Sequence, residues 1–343
     1  MGSLEGKNTL KIARGPRVLL GCAAALIALG TAFVVFSPSA ENEANAAFAD
    51  VSVSVDGERA YKYLKQLCEI GPRPAGSEAN TRQRELVSKH FVAQGGKVSQ
   101  QTFKGNDPKS GAEVVMVNLI GSWNPDRKDR VVIGAHYDTR PFPDEEKVEA
   151  RRTLPFLGAN DGASGVALLM EIAHHLGKLQ MTWGVDLVIF DGEELVYGGG
   201  QNQNGEYFLG SKAFSRNYAD GVENRRLNYR YVAGLVLDMV GDRDLNIDQE
   251  RNSVDLAPAL VRDVWNVARK VKASGFRQRV GTAVLDDHLP MNDAGIPTID
   301  IIDFAYPHWH TSQDLPEKCS AASLEQVGKV VITWLAQPRK RTR

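Results

Sequence analysis

Cysteine is scarce in this 343-residue chain: there are three, Cys22, Cys68 and Cys319. None pairs with another at zinc-finger spacing, and none has a nucleophile's partner nearby, so a structural zinc module and a cysteine hydrolase are both excluded. Charge of one sign is also missing, since 41 Lys and Arg face 42 Asp and Glu. No large field exists to hold nucleic acid, and none is expected as a partner. A Gly-x-Ser-x-Gly nucleophile elbow does not occur, which removes the serine hydrolases that depend on one. The glycines of 197–207 (YGGGQNQNGEY) do not follow a nucleotide-binding pattern, and that stretch reads as an exposed loop. No internal repeat is present, and the basic tail 339–343 reads as a solvated end.

One long apolar run is present. Residues 18–36 are 19 uncharged residues preceded by Lys7, Lys11, Arg14 and Arg17, and followed by Glu41, Glu43 and Asp50. This is the pattern of a signal anchor or signal peptide after a basic region at 1–17, and its length favours the anchor. Positive charge before the run places the rest of the chain on the outer side, so the protein is expected to be extracytoplasmic, with the membrane met only through this segment. Cys22 lies too early in the run for a lipoprotein cleavage site. In an oxidising compartment Cys68 and Cys319 are allowed a disulfide, of about 2 to 4 kcal/mol where geometry permits.

Residues 37–54 read as a linker, and 55–338 as one catalytic domain. Asp56 can cap a helix carrying Ala60, Leu64, Leu67 and Cys68, and a second helix is expected over 77–94. Short Val- and Ile-rich runs at 114–120, 131–135, 185–190, 232–237 and 296–302 read as buried strands, separated by helical stretches at 163–177, 257–272 and 321–335. The alternation implies an α/β fold, a mostly parallel central sheet with helices on both faces.

In such sheets ligands gather beyond the carboxyl ends of the strands. Those ends here carry His136 and Asp138, then Asp191, Glu193 and Glu194, then Asp238, then His308 and His310, while Asp161 lies in the turn before a helix. A histidine or carboxylate at one strand end is usually structural, but five segments converging on one edge are a metal site. Imidazole and carboxylate donors without cysteine are those of catalytic zinc, which keeps a position open. Asp138, two residues from His136 on the same strand face, is placed to accept the ring's second N–H. Glu193 and Glu194 diverge, so one can bind metal while the other faces the reacting group. The paired histidines His174 and His175 receive no role.

The motifs GAHYDTR, GANDGASG, FDGEE, LDMVGD, DDHLP and YPHWHT occur in the order seen in the family of zinc aminopeptidases and glutaminyl cyclases, and the resemblance spans 68–335. It implies a zinc exopeptidase-like three-layer sandwich, one or two zinc ions held by His136, Asp161, Glu194, Asp238 and His310, Asp161 able to bridge them, and Glu193 as general acid and base. Peptide or protein N-termini are the implied substrates. An inactive binding module of this fold would have lost ligands or base, and all are present here. The insertion after FDGEE, the triplet Asp286-Asp287-His288 and Trp309 resemble the cyclases. That likeness implies a proton-handling role for Asp286 and a substrate-binding wall at Trp309. His288 would either bond a substrate carboxylate or support Asp286. Two features resemble the aminopeptidases instead: the GANDGASG turn, and the lack of the tryptophan that cyclases carry shortly after the paired glutamates. The balance favours a glutaminyl-peptide cyclotransferase-like enzyme, with a zinc aminopeptidase as the alternative.

Overall fold

A computed structural model describes residues 54–198 and 204–337. The apolar run 18–36 and the basic tail lie outside these residues. Among the described residues no helix is long and apolar enough to cross a membrane.

A six-stranded sheet forms the centre, in the order β1 (Lys97–Asn106), β2 (Glu113–Trp123), β4 (Gly184–Phe190), β3 (Asp129–His136), β7 (Arg230–Asp238), β10 (Thr298–Ile302). Strands β4, β3, β7 and β10 run parallel, while β2 is antiparallel to both β1 and β4. Four of the five expected strand runs fall within these strands, and the fifth, 296–302, begins two residues before β10. β1 was not anticipated, because its residues alternate between exposed and half-buried at the sheet edge and form no apolar run.

The sheet separates two cores because successive side chains on a strand point to opposite faces. Val131, Ile133 and Ala135 of β3 face the larger core, which is covered by α1 (Gly57–Cys68), α2 (Glu78–Ala93), α3 (Ala163–Leu176), α6 (Pro258–Lys270) and α8 (Ala321–Leu335). Val132 faces the smaller core with Val188, Phe190, Phe214 and Met291, the last two from α4 (Leu209–Glu223) and α7 (His288–Asp293). Helix α5 (Arg251–Leu256) leads into α6, and β8 (Ile247–Gln249) pairs with β9 (Phe276–Val280) outside the main sheet. As expected, Asp56 caps α1, its carboxylate accepting from the Arg59 amide, and Ser77 caps α2 in the same way.

Two expectations change. The stretch 197–207 is not all exposed loop, since β5 (Val196–Tyr197) pairs with β6 (Asn204–Gly205) and Tyr207 is half-buried. Cys68 and Cys319 are free thiols rather than a disulfide. Both fill places in the larger core as small apolar side chains, and burial pushes the Cys68 thiol up to about 12.

At the end of the sheet opposite the strand carboxyl ends, the buried Arg130 forks onto Asp186, with Nε donating to Oδ2 at 2.9 Å and Nη2 to Oδ1 at 2.6 Å. Ser122 and Tyr231 donate to the same carboxylate, so four strands meet on it. Asp186→Ala leaves the guanidinium buried without its partner and should cost about 3 to 5 kcal/mol in chemical denaturation. Adding Arg130→Met should recover much of that loss. A cost below ~1 kcal/mol for the single variant would show that the pair is not what holds these strands.

Candidate metal centre

The carboxyl ends of the parallel strands set the donors. His136 is the last residue of β3, Asp238 the last of β7, and Glu193 and Glu194 follow β4 after Asp191 and Gly192. His310 comes from the loop after β10 and sits at φ 51°, with Met239, directly after Asp238, at φ 48°. Left-handed backbone at non-glycine residues is uncommon and gathers at functional sites, where packing holds it in place.

Asp161 comes from the turn before α3. Gly162, next to it, has φ 95°, and a Cβ there would lie 2.8 Å from the Asp138 carbonyl oxygen, so only glycine lets the turn come this close. The Asp314 carboxylate holds the turn from the other side, accepting from the amides of Asn160 at 2.8 Å and Asp161 at 3.1 Å. Burial pushes Asp314 up to about 7, and the Tyr306 hydroxyl donates to it.

Asp161 joins two sets of donors, one through each oxygen. Its Oδ1 is 3.1 Å from His136 Nε2, which is also 3.2 Å from Asp238 Oδ1. Its Oδ2 is 3.4 Å from His310 Nε2, which is 3.2 Å from Glu194 Oε1. In each of the triads His136–Asp161–Asp238 and Asp161–Glu194–His310 the ligand atoms lie within 4.8 Å of one another. All five positions expected from the sequence are therefore brought together.

The electrostatics are those of a site built for cations. Burial alone would lower both imidazoles, but the surrounding carboxylates outweigh it and hold His136 and His310 well above the usual histidine range. Asp238 is pushed up to about 7 by burial. Glu194, despite its burial, is held well below the usual range by Arg140 and His310. Buried carboxylates sharing so few counter-charges, with Asp161 Oδ2 lacking any hydrogen-bond partner, fit a divalent cation bound through oxygen and nitrogen.

Glu193 is also buried, and its Oε2 has no hydrogen-bond partner, lying 3.7 Å from His136 Nδ1. Burial first, and then the charge of Glu194, raise it well above the usual carboxylate range. Asp138 stands behind His136, but at 3.9 Å from Nδ1 it does not take the ring's N–H. Its two oxygens accept the amides of Glu193 and Glu194, each at 3.0 Å, which aims the paired glutamates. Asp191 serves the fold instead, bonding the Val117 amide, the Tyr137 hydroxyl and the Asn80 side chain.

Asp286 lies just before α7, buried, with Oδ2 unpartnered and its acidity weakened by burial. Trp309 is half-buried and stacks flat on His310, their ring centroids 3.8 Å apart. His288 is fully buried, with Nε2 3.3 Å from Glu250 Oε2 and Nδ1 3.9 Å from Asp300 Oδ2. A direct substrate contact by His288 is corrected accordingly: it belongs to the carboxylate cluster behind Asp286. His174 and His175 bond Tyr63 and Glu171 away from the site. Sequence reasoning missed Asp314, Arg140, Asp144 and Tyr207. The arginine of GAHYDTR was a signal, being a cation inside a metal-type motif.

Among proteins of known structure, the chain is similar to a glutaminyl cyclase from Fimbriiglobus ruber, with 42% identity over 82% of this chain and 95% of that one and a TM-score of 0.79. It is also similar to a leucine aminopeptidase precursor from Bacteroides thetaiotaomicron, with 33% identity, 84% and 99% coverage and a TM-score of 0.76. A glutaminyl-peptide cyclotransferase from Gloydius blomhoffii is 25% identical over 301 residues, 79% of this chain and 78% of the relative. The model of peptidase family M28 matches residues 118–335, and the chain belongs to that family.

Proposed function

We propose that this protein is a zinc-dependent enzyme of peptide N-termini that converts N-terminal glutamine to pyroglutamate with release of ammonia. The observation that carries this reading is Trp309 lying flat on His310, an aromatic wall beside a metal-type triad. The buried, unpaired Glu193 and the cyclases among the similar proteins support it. The alternative is an aminopeptidase, and the observation that favours it is the complete second triad, His136–Asp161–Asp238, able to take a second zinc.

Asp161, Glu194 and His310 would hold the zinc, which would supply Lewis-acid polarisation of a carbonyl oxygen. The chain's own groups then move the proton. As the substrate's α-nitrogen bonds to the γ-carbonyl carbon, Glu193 Oε2 takes the proton that nitrogen sheds. The same carboxyl returns it to the departing amide nitrogen, so the C–N bond breaks and ammonia leaves. Its raised proton affinity suits a group that first takes a proton and then returns it. Asp286, buried, and Asp238, largely buried, are also weakened as acids and stand beside it as further holders of protons. Trp309 forms the wall against which the glutamine side chain lies.

The domain is further proposed to work outside the cytoplasm, anchored by residues 18–36 or released after cleavage, on the strength of the basic residues before that run. A reporter active only outside the cytoplasm, fused after Arg343, should be active. A reporter that works only inside would reverse the orientation.

Glu193→Gln should keep its zinc and lose a factor of about 10² to 10⁴ in turnover. Asp161→Asn, which weakens the donor shared by both triads, should lose metal on dialysis. Undiminished turnover in the first variant, or full zinc content in the second, would sink the corresponding role.

Branch and chemistry are decided together by giving the full-length, zinc-loaded chain one peptide beginning with Gln and one beginning with Leu. Mass spectrometry should show loss of ammonia from the first and no change in the second. Release of the N-terminal residue would establish the aminopeptidase instead.

A further inference from the structure

One buried cation in the site is left without a task by the chemistry above. Arg140, in the segment that follows β3, has a side chain only 2% exposed and uses its whole donor fork. Nη1 donates to Glu194 Oε2 at 2.6 Å. Nε and Nη2 donate to the two oxygens of Asp144 at 2.9 and 2.7 Å. Nη2 also reaches the Tyr207 hydroxyl at 2.9 Å and the Gly198 carbonyl at 3.3 Å. Asp144 continues the chain of contacts, with Oδ1 3.3 Å from His310 Nδ1. The same stretch clasps the histidine's loop twice more, through the Glu145 amide on the His310 carbonyl and the Glu146 carboxylate on Ser312.

We infer that Arg140 is a positioning residue that, with Asp144, sets two of the three donors of the Asp161–Glu194–His310 triad and ties them to the ends of the insertion at Gly198 and Tyr207. Because Nη1 occupies Glu194 Oε2, only Oε1 faces the other donors, and Glu194 offers a metal one oxygen rather than two. Asp144 lies 3.3 Å from Nδ1, short of a well-aligned hydrogen bond, and places its charge on that side of the His310 ring while Nε2 faces the same point. One arginine–aspartate pair thus governs the denticity of the carboxylate and sets the charge beside the imidazole. Lysine cannot replace it, since an ammonium is a single point and the three directions served here need a planar fork. The tie to Tyr207, whose ring also lies under the guanidinium at 5.3 Å, makes the placement of Tyr207 and the geometry of the donors parts of one network.

The inference rests on the metal reading of this triad and not on the choice between cyclase and aminopeptidase, so its test reads the metal directly. The full-length chain is stripped of metal and refilled with cobalt(II), whose visible bands weaken as coordination number rises, and zinc affinity is measured by competition with a chromophoric chelator. Arg140→Met should free Glu194 Oε2 to bind as well, weakening the cobalt bands, and should leave Glu194 and Asp144 without their anchor, the lost orientation raising the zinc dissociation constant by about 10- to 100-fold. Arg140→Lys should show both effects to a smaller degree. A folded Arg140→Met protein with the wild-type spectrum and wild-type zinc affinity overturns the role. Where that variant does not fold, Arg140→Lys decides, and wild-type values for both readouts in it overturn the role equally. A wild-type chain that takes neither cobalt nor zinc removes the metal reading beneath the proposal, a result distinct from failure of the Arg140 variants alone.

Discussion

Everything around the strand ends answers one electrostatic demand: Asp161, Glu193, Glu194, Asp238 and Asp286 are all buried or nearly so within one small volume. Carboxylates taken out of water need protons, hydrogen bonds or cations, and each is used here in a different place. Glu194 stays ionised because Arg140 and His310 face it, whereas Asp238, with His136 alone at 3.2 Å, and the more weakly covered Glu193 and Asp286 are raised by burial and hold protons more tightly. The opposite behaviour of Glu193 and Glu194 is thus a matter of partners, since the two residues are adjacent in the chain and both buried.

The fold supplies the convergence. Four parallel strands end at one edge, and the turns beyond them are fastened by side chains that never touch the site's interior. Asp314 holds the amides of Asn160 and Asp161, and Asp138 holds those of Glu193 and Glu194. Both are buried aspartates accepting paired amides, a device that places a neighbouring side chain without occupying its space. Gly165 extends the same logic to the helix: a Cβ there would lie 2.2 Å from the Leu237 oxygen, so α3 reaches the end of β7 only because that position is glycine.

How much of this was legible in the sequence depended on the range of the interaction. The five expected strands announced themselves through short Val- and Ile-rich runs, and the donors through their places at the ends of those runs. Strand β1 did not, because an edge strand with one solvated side has no such run. Helix α4 did not either, since Gly210, Ser211 and Ser215 dilute its apolar face with small residues packed against neighbouring segments. The supporting residues were illegible for a further reason. Asp314 serves Asp161 from 153 residues away, and Arg140 serves Glu194 from 54, so only the folded chain shows the pairing. The Asp138–His136 relation was read from local spacing and came out differently, because the two amides after β4 offer that carboxylate closer partners.

The residues after the paired glutamates bear on how a cyclase pocket would be walled. The tryptophan that the cyclases carry there has no counterpart, and Leu195 and Val196 are 3% and 1% exposed, so neither side chain is available to a substrate. Tyr197 is turned away onto Phe142 and Asp107. The other end of the insertion returns aromatic surface to the same place: Tyr207 and Phe208 stack at 5.4 Å, the Phe208 amide meets the Glu193 carbonyl, and the Tyr207 hydroxyl meets Arg140. An aromatic wall lost from one end of the insertion is therefore available from its other end. Under the cyclase reading, Tyr207 and Phe208 are the aromatic rings that this end of the insertion offers beside Glu193 and Arg140.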